Sequence, residues 1–173
     1  FKNHPSLLAW GLGNEVENEL ALDGEDPTKI WSELNYLAKL IKNEDKNHPI
    51  VTAVAGLSRE MLISINKYYP EIDILGVNAY GFAPEVGEIL KEYNWNKPYM
   101  ITEFGPVGFW EIQDKTEWGA PIEETSHQKA ERYALAQANA LNNPSCLGTF
   151  PFMWGNKQEK TSTWFGMFLP DGQ

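Results

Sequence analysis

The segment LLAWGLGNE at residues 7–15 is the strongest indication of the fold of this chain. It is an apolar run too short for a typical helix, it follows Pro5, and it ends abruptly in an amide and a carboxylate. Such runs are typical of strands that are buried on both faces of a parallel sheet. A second run of the same kind, YMITE at residues 99–103, also ends in a glutamate. The two runs therefore predict two buried strands, each with a glutamate at its carboxyl end.

Three further apolar runs predict strands, and helical patterns separate all five of them. The additional strands are expected at residues 50–55, 72–80 and 147–154, and the helices at 28–42, 59–68, 85–92 and about 125–141. The helix starts carry recognisable signals: Asp26-Pro27, Ser58, Pro84 and a capping box at residues 125–128. Strands that alternate with helices in this way imply an α/β fold, with a parallel sheet and right-handed crossovers.

Five strands cannot close an eight-stranded barrel, so two architectures are compatible with this order. In the first, residues 1–173 form a single partial domain, the C-terminal portion of a TIM (β/α)8 barrel whose first three strands are absent. In the second, the five strands form an open doubly wound sheet. The barrel is favoured because it builds active sites at the carboxyl ends of its strands, where both glutamates are expected.

Composition excludes several classes of function. The net charge of -10 argues against nucleic acid and anionic membrane surfaces as partners, and no segment approaches the ~18 apolar residues of a membrane span. The single Cys146 excludes an internal disulfide, and no grouping of side chains has metal-ligand spacing, so neither a metal nor another cofactor is expected. His4 and His48 occupy matching Asn-His-Pro turns, for which structural roles are expected. The aromatic share of 13% fits either a large core or a sugar-binding cleft.

The motifs at the strand ends resemble those of a known group of enzymes. WGLGNE at residues 10–15 and ITEFG at 101–105 resemble the two catalytic signatures of clan A retaining β-glycoside hydrolases of the family-two and family-five type. DILGVNAY at 73–80 resembles their sixth barrel strand, and FPFMW at 150–154 resembles their eighth. The resemblance extends from about His4 to Trp164, and its motifs follow the order found in that group.

The resemblance implies hydrolysis of β-glycosidic bonds in oligo- or polysaccharides by a retaining double displacement. Glu15 would be the acid/base and Glu103 the nucleophile, two carboxyl groups that such enzymes hold ~5–5.5 Å apart. Asn14 would bind the 2-hydroxyl of the sugar, Tyr80 would donate a hydrogen bond to Glu103, and Trp154 would form the floor of a sugar subsite.

Further residues receive weaker assignments. Asn78 stands where many family-five-like enzymes carry a histidine, and it is placed with the substrate-binding residues. Trp110 and Trp118 follow the second glutamate strand and are expected either to bind sugar or to pack within their loop. Glu17 and Glu19 are interpreted as solvated loop residues.

Alternatives to hydrolysis remain open at this point. A transglycosylase would use the same covalent intermediate, a non-catalytic carbohydrate-binding barrel would keep the cleft without turnover, and an open α/β-sheet domain would have no sugar chemistry. The expected partners are a carbohydrate and the missing N-terminal part of the barrel, without which the chain should be inactive or impaired. An extracellular or periplasmic location is favoured. The sequence leaves sugar, linkage and exo or endo action undetermined.

Overall fold

The computed structural model describes residues 1–18 and 26–172, and for Pro27 it describes the backbone alone. Within these residues the chain alternates between strands and helices, as the sequence predicts. The elements are, in chain order, β1 (Trp10–Asn14), α1 (Pro27–Glu44), β2 (Ile50–Ala55), α2 (Arg59–Tyr68), β3 (Ile74–Asn78), a 3₁₀ turn (Ala83–Glu85), α3 (Val86–Glu92), β4 (Tyr99–Phe104), α4 (Ser126–Leu141) and β5 (Cys146–Pro151). The five strands form one parallel sheet in the order β1-β2-β3-β4-β5. The predicted α/β class is confirmed.

Helices α1, α2 and α4 begin where polar side chains cap their free backbone N–H groups. Asp26 Oδ1 accepts a hydrogen bond of 2.9 Å from the Thr28 N–H, and Ser58 Oγ accepts one of 3.1 Å from the Met61 N–H. At the start of α4 the Thr125 and Gln128 side chains and backbone bond reciprocally, which confirms the predicted capping box. None of the helices in the described part of the chain is both long and apolar enough to cross a membrane.

The chain divides into two compact units, each with its own core. The first takes in residues 1–77 and 88–100, and the second takes in residues 78–87 and the chain from 101 onward. The largest fully buried side chains of the first unit belong to Trp31, Ile50, Leu62, Ile65, Tyr69, Ile72 and Leu75. Those of the second unit belong to Ile101, Trp164 and Phe165.

A buried aspartate organises the turn between α1 and β2 in the first unit. Asp45 is 5% exposed and accepts hydrogen bonds from Trp10 Nε1 at 3.0 Å and the Asn47 N–H at 3.0 Å, and it pairs with His48 Nδ1 at 2.7 Å. Burial opposes ionisation of this carboxyl, but the bonds from Asn47, Trp10 and His48 outweigh it and lower the pKa of Asp45 from 3.8 to about 2. The structural role predicted for His48 is confirmed.

Strand β1 is less buried than its sequence predicts. Every one of its five positions is half-buried or exposed, and Leu8, just before the strand, is 67% exposed. The prediction that this run is buried on both faces is wrong. The reason is position, because β1 is the terminal strand of the sheet and has β2 as its neighbouring strand.

Candidate active site

Tyr80 and Glu103 are joined at the carboxyl ends of two neighbouring strands. Glu103 is the penultimate residue of β4, and Tyr80 follows β3 by two positions. The Ala79 N–H donates to the Glu103 carbonyl oxygen at 2.8 Å, which aligns the two strand ends. In this register Tyr80 Oη donates a 2.7 Å hydrogen bond to Glu103 Oε2. A hydrogen bond of this kind favours the ionised form of the carboxyl, the form that a nucleophile requires.

Aromatic rings surround the Tyr80 side chain. Trp110 meets the Tyr80 ring edge-on at 5.4 Å, Phe152 meets it at 6.0 Å, and Phe165 lies at 5.2 Å. Phe165 is 1% exposed, so this group is anchored in the core of the second unit. Ring pairs in such geometries contribute ~0.5–1.5 kcal/mol beyond the area they bury. The aromatic contacts therefore restrict the orientations available to the phenol.

Glu111 links two loops beside this pair. Its Oε2 accepts hydrogen bonds from the Gly81 N–H at 3.1 Å and the Gly108 N–H at 2.8 Å. Both glycines leave room for neighbouring side chains: a Cβ on Gly81 would lie 2.9 Å from Glu111 Oε1, and a Cβ on Gly108 would lie 2.4 Å from the Trp110 ring. Sequence reasoning assigned no function to Glu111. The available signals were Gly81, directly after Tyr80, and Gly108, three positions before the glutamate.

Asn78 is the last residue of β3 and is buried in the second unit. Its side chain is 3% exposed, and its Oδ1 accepts a 2.7 Å hydrogen bond from Thr102 Oγ1 on β4. The contact explains why an amide is accommodated in this buried position, since a buried polar group needs a partner. The predicted contact of Asn78 with substrate stays a prediction.

The three tryptophans predicted to bind substrate are all exposed, in different settings. Trp118 is 80% exposed in a short antiparallel turn that pairs Lys115 with Pro121. Trp154 is 73% exposed and packs edge-on against Phe168 at 5.1 Å. Trp110 is 56% exposed and contacts Tyr80, so it is the one whose ring directly adjoins the Tyr80–Glu103 pair.

Asn14 and Glu15 lie at an irregularity in the first unit. Gly11 is paired with Val51, but Asn14 is paired with Ala53, so β1 contains one residue more than β2 over this interval. Gly13 with φ 79° and Glu15 with φ 53° take up the bend, and the Glu15 N–H donates to the Ala53 carbonyl oxygen at 2.9 Å. Bulges of this kind redirect side chains and are over-represented next to active sites.

Glu17 is not the solvated residue that the sequence indicates. Its Oε1 accepts a 2.6 Å hydrogen bond from the Ala55 N–H, and its Oε2 is buried without a hydrogen-bond partner among the described residues. Burial raises the pKa of Glu17, with a smaller contribution from the nearby Glu15, and the hydrogen bond from Ala55 only partly offsets this. The interpretation as a solvated loop residue is wrong because the side chain folds back onto the end of β2. Glu19 lies outside the described residues.

A charged cavity of about 450 Å³ lies at the other ends of the strands in the first unit. Its lining residues are Lys42, Lys46, Asn47, His48, Pro49 and Asp73. Lys42 and Asp73 form an ion pair at 2.8 Å, and Asp73 Oδ2 also accepts the Ile50 N–H at 2.8 Å. These charges secure the starts of β2 and β3, so the cavity is a structural feature rather than part of the candidate site.

Comparison with solved structures identifies the class of fold. The chain aligns over 99% of its length with 22% of a β-glucuronidase from Bacteroides uniformis, at a TM-score of 0.70 and 16% identity. It aligns over 99% of its length with 30% of the Ruminococcus gnavus β-glucuronidase, at a TM-score of 0.62 and 17% identity. It also aligns over 97% of its length with 65% of a GH128 exo-β-1,3-glucanase from Aureobasidium namibiae, at a TM-score of 0.62 and 14% identity. These are glycoside hydrolases with TIM-barrel-like folds, and the likeness confirms a fold that corresponds to a portion of such a barrel.

The same comparisons show how much of each neighbour's length this chain covers. It spans less than a third of the length of the two β-glucuronidase chains and about two-thirds of the glucanase chain. No protein-family model matches the sequence, and no curated protein matches it. The similarity is therefore one of fold.

Proposed function

We propose that this chain supplies part of the active site of a retaining β-glycoside hydrolase. The observation that carries the proposal is the 2.7 Å hydrogen bond from Tyr80 to Glu103, made at the carboxyl ends of adjacent strands. Barrel enzymes place their chemistry at these strand ends, and the structural neighbours named above are glycosidases. The assignment of Glu15 rests on its sequence motif and on the bulge that carries it.

In the proposed reaction Glu103 attacks the anomeric carbon while Glu15 donates its proton to the glycosidic oxygen. The bond from the anomeric carbon to that oxygen breaks, the leaving sugar departs as an alcohol, and a glycosyl ester forms on Glu103. Glu15 then removes a proton from water, whose oxygen attacks the same carbon and releases Glu103. Two inversions give net retention. Tyr80 supports the first step by keeping Glu103 ionised and oriented.

The remaining residues are proposed to bind the sugar. Asn14, the last residue of β1, would bind the 2-hydroxyl, and Trp154 would form the floor of a subsite. Trp110 and Trp118 would stack against further sugar rings, and their exposed fractions of 56% and 80% support this role. Asn78 is proposed to contribute through Thr102, its hydrogen-bond partner on β4.

The substrate class follows from the same assignments. The neighbours include β-glucuronidases and an exo-β-1,3-glucanase, which differ in the sugar that they cleave. We therefore propose a β-linked oligo- or polysaccharide as substrate and commit to no single sugar. We further propose that residues 1–173 form one partial barrel domain that needs the first three barrel strands for turnover.

The decisive experiment is to trap the glycosyl-enzyme in the complete protein. A 2-fluoro β-glycoside that reacts in the first step but hydrolyses slowly should add one sugar to Glu103, as mass spectrometry of a proteolytic digest would show. Glu103→Gln should lose turnover and labelling while it still binds sugar. The matched control is Glu131→Gln, in a side chain 68% exposed in the same unit, which should leave both intact. Labelling of a different carboxyl would contradict the assignment.

A carbohydrate-binding barrel without turnover is the second candidate, favoured by the exposure of Trp118 and Trp154. It predicts that the complete unmodified protein binds oligosaccharides but releases no sugar. A transglycosylase would instead transfer sugar to an added acceptor alcohol at the expense of hydrolysis. Product analysis with and without that acceptor separates these outcomes from hydrolysis.

A further inference from the structure

We propose that Glu111 is a positioning residue that holds Tyr80 in place to donate its hydrogen bond to Glu103. The inference rests on the proposed function in one respect, because the proposed function is what makes Glu103 a catalytic residue. The link from Glu111 through Tyr80 to Glu103 is nevertheless a physical relationship that can be measured without turnover. All the residues involved belong to the second unit.

Glu111 closes its own loop from both sides. Its backbone N–H donates to the Gly108 carbonyl oxygen at 2.8 Å, and its carboxylate accepts the Gly108 N–H at 2.8 Å. The turn from residue 108 to residue 111 is thus fixed by backbone and side chain together. Hydrogen bonds to a charged acceptor are stronger than those between neutral groups. Removing the carboxylate should therefore loosen this turn.

The same carboxylate oxygen also reaches the backbone directly after Tyr80. Glu111 Oε2 accepts the Gly81 N–H at 3.1 Å, and the absence of a side chain on Gly81 makes this approach possible. The neighbouring Trp110 lies edge-on against the Tyr80 ring at 5.4 Å. Glu111 therefore restrains Tyr80 at two points, through the backbone of the next residue and through the ring packed on its phenol.

Geometry makes such restraint important. A functional group must be held within ~0.5 Å of its working position, and the side chains that achieve this are themselves locked by neighbouring contacts. The Tyr80 hydroxyl sits 2.7 Å from Glu103 Oε2, within the range of a strong O–H···O bond. A small displacement of the Tyr80 backbone would lengthen that bond and weaken its effect on the carboxylate.

The test is an NMR titration of the Glu103 carboxyl carbon in the full chain, read as a double-mutant cycle. Tyr80→Phe should move the titration midpoint to higher pH, because it deletes the donor. Glu111→Ala should move it in the same direction. Glu111→Gln, which keeps an acceptor oxygen of similar reach, should restore most of the wild-type value. In the Tyr80→Phe background, Glu111→Ala should cause no further movement.

The proposal is overturned if Glu111→Ala leaves the Glu103 titration midpoint unchanged. It is also overturned if Glu111→Ala moves that midpoint equally in the wild type and in the Tyr80→Phe variant. Should Glu111→Ala fail to fold, Gly81→Ala provides a second route, since its Cβ would crowd the Glu111 carboxylate while leaving that residue in place. Turnover is measured separately. If the protein proves not to be a glycosidase, the titrations still test whether Glu111 positions Tyr80. If the effects of Glu111 and Tyr80 on the Glu103 midpoint are independent, only the positioning role is refuted.

Discussion

The Tyr80 hydroxyl donates a 2.7 Å hydrogen bond to the Glu103 carboxylate, and the backbones beside them are joined as well, through Ala79 and the Glu103 carbonyl. The side-chain bond thus rests on a strand pairing that fixes the separation of the two residues. The sheet thus fixes the Glu103 backbone, and Tyr80 lies two positions beyond the end of β3, where Glu111 is proposed to hold it. Mutations at this pair should consequently change chemistry more than stability.

Tyr80→Phe should lower kcat/KM of the complete enzyme by about 10- to 100-fold. A hydrogen bond to a charged group contributes ~1.5–3 kcal/mol, and its loss also disfavours the ionised nucleophile. The acid limb of the pH profile of kcat/KM should therefore move to higher pH. The control is Tyr36→Phe on α1, where the side chain is 58% exposed, and it should leave the profile unchanged. An unaltered acid limb in the Tyr80 variant would contradict the assigned role.

Trp118→Ala should weaken binding of long oligosaccharides without destabilising the protein. Its ring is 80% exposed, and truncation of such surface residues usually changes stability by less than about 0.5 kcal/mol. Trp164→Ala is the contrasting variant, because that ring is 2% exposed and its Nε1 donates to the Val107 carbonyl at 2.9 Å. Trp164→Ala should lower the free energy of unfolding by about 3–5 kcal/mol. Calorimetric titration with oligosaccharides and urea denaturation distinguish the two effects, and unchanged sugar affinity would remove Trp118 from the site.

Asp45→Asn should abolish an acid-dependent part of the stability. The pKa of Asp45 is lower in the folded protein than its ordinary value, so its contribution is present above pH about 4 and is lost as pH falls toward 2. The difference in unfolding free energy between wild type and variant should be largest above pH 5 and shrink below pH 4. Urea denaturation across this range measures it. Glu44→Gln, in a neighbouring side chain that is 81% exposed, is the matched control.

Glu17→Gln should show the opposite dependence on pH. The pKa of Glu17 is raised by burial, so the folded state binds more protons than the unfolded state, and the wild type loses stability as pH rises above about 4.5. The variant has no charge to bury, and its stability relative to wild type should increase from pH 4 to pH 8. Glu33→Gln on the exposed face of α1 is the matched control. A constant difference across the range would refute the prediction.

Gly13→Ala should destabilise the first unit and Gly11→Ala should not. Gly13 has φ 79°, and a Cβ there would lie 3.1 Å from Val16 Cγ1, so the substitution should cost about 1–2 kcal/mol. A Cβ on Gly11 would meet nothing within 4 Å, and its loss of unfolded-state freedom should stabilise by about 0.4–1 kcal/mol. Thermal unfolding compares them. Equal effects at the two positions would show that the bulge has no strict need for glycine.

The order of elements was predictable because each carries a local signal. Ser58 at the start of α2 and the capping box at the start of α4 act over three or four residues, and both are where the sequence places them. The strand 50–55 was predicted with its observed bounds, since a proline precedes it and its apolar run ends cleanly. Burial of β1 was not predictable, because it depends on which strands lie beside it and not on the strand itself.

In the candidate site, too, some residues were predictable from the sequence and others were not. The hydrogen bond between Tyr80 and Glu103 was predicted from the resemblance of their motifs to those of β-glycoside hydrolases, and the structure contains it. The hydrogen bonds of Glu111 and Glu17 were not predicted, because a loop glutamate that accepts backbone N–H groups has the same sequence signature as one that faces water. Their partners, Gly81, Gly108 and Ala55, are brought to them only by the folded chain.

The position of β1 at the end of the sheet has a consequence for the behaviour of this chain in solution. In the complete barrel that we propose, the outer side of β1 would pair with a preceding strand, so a chain expressed without that strand would present this edge to extended segments of other molecules. The net charge of -10 opposes that encounter by mutual repulsion between copies. Because 0.1 M salt screens charges beyond ~10 Å, added salt weakens this repulsion, and the tendency of the chain to aggregate therefore depends on ionic strength.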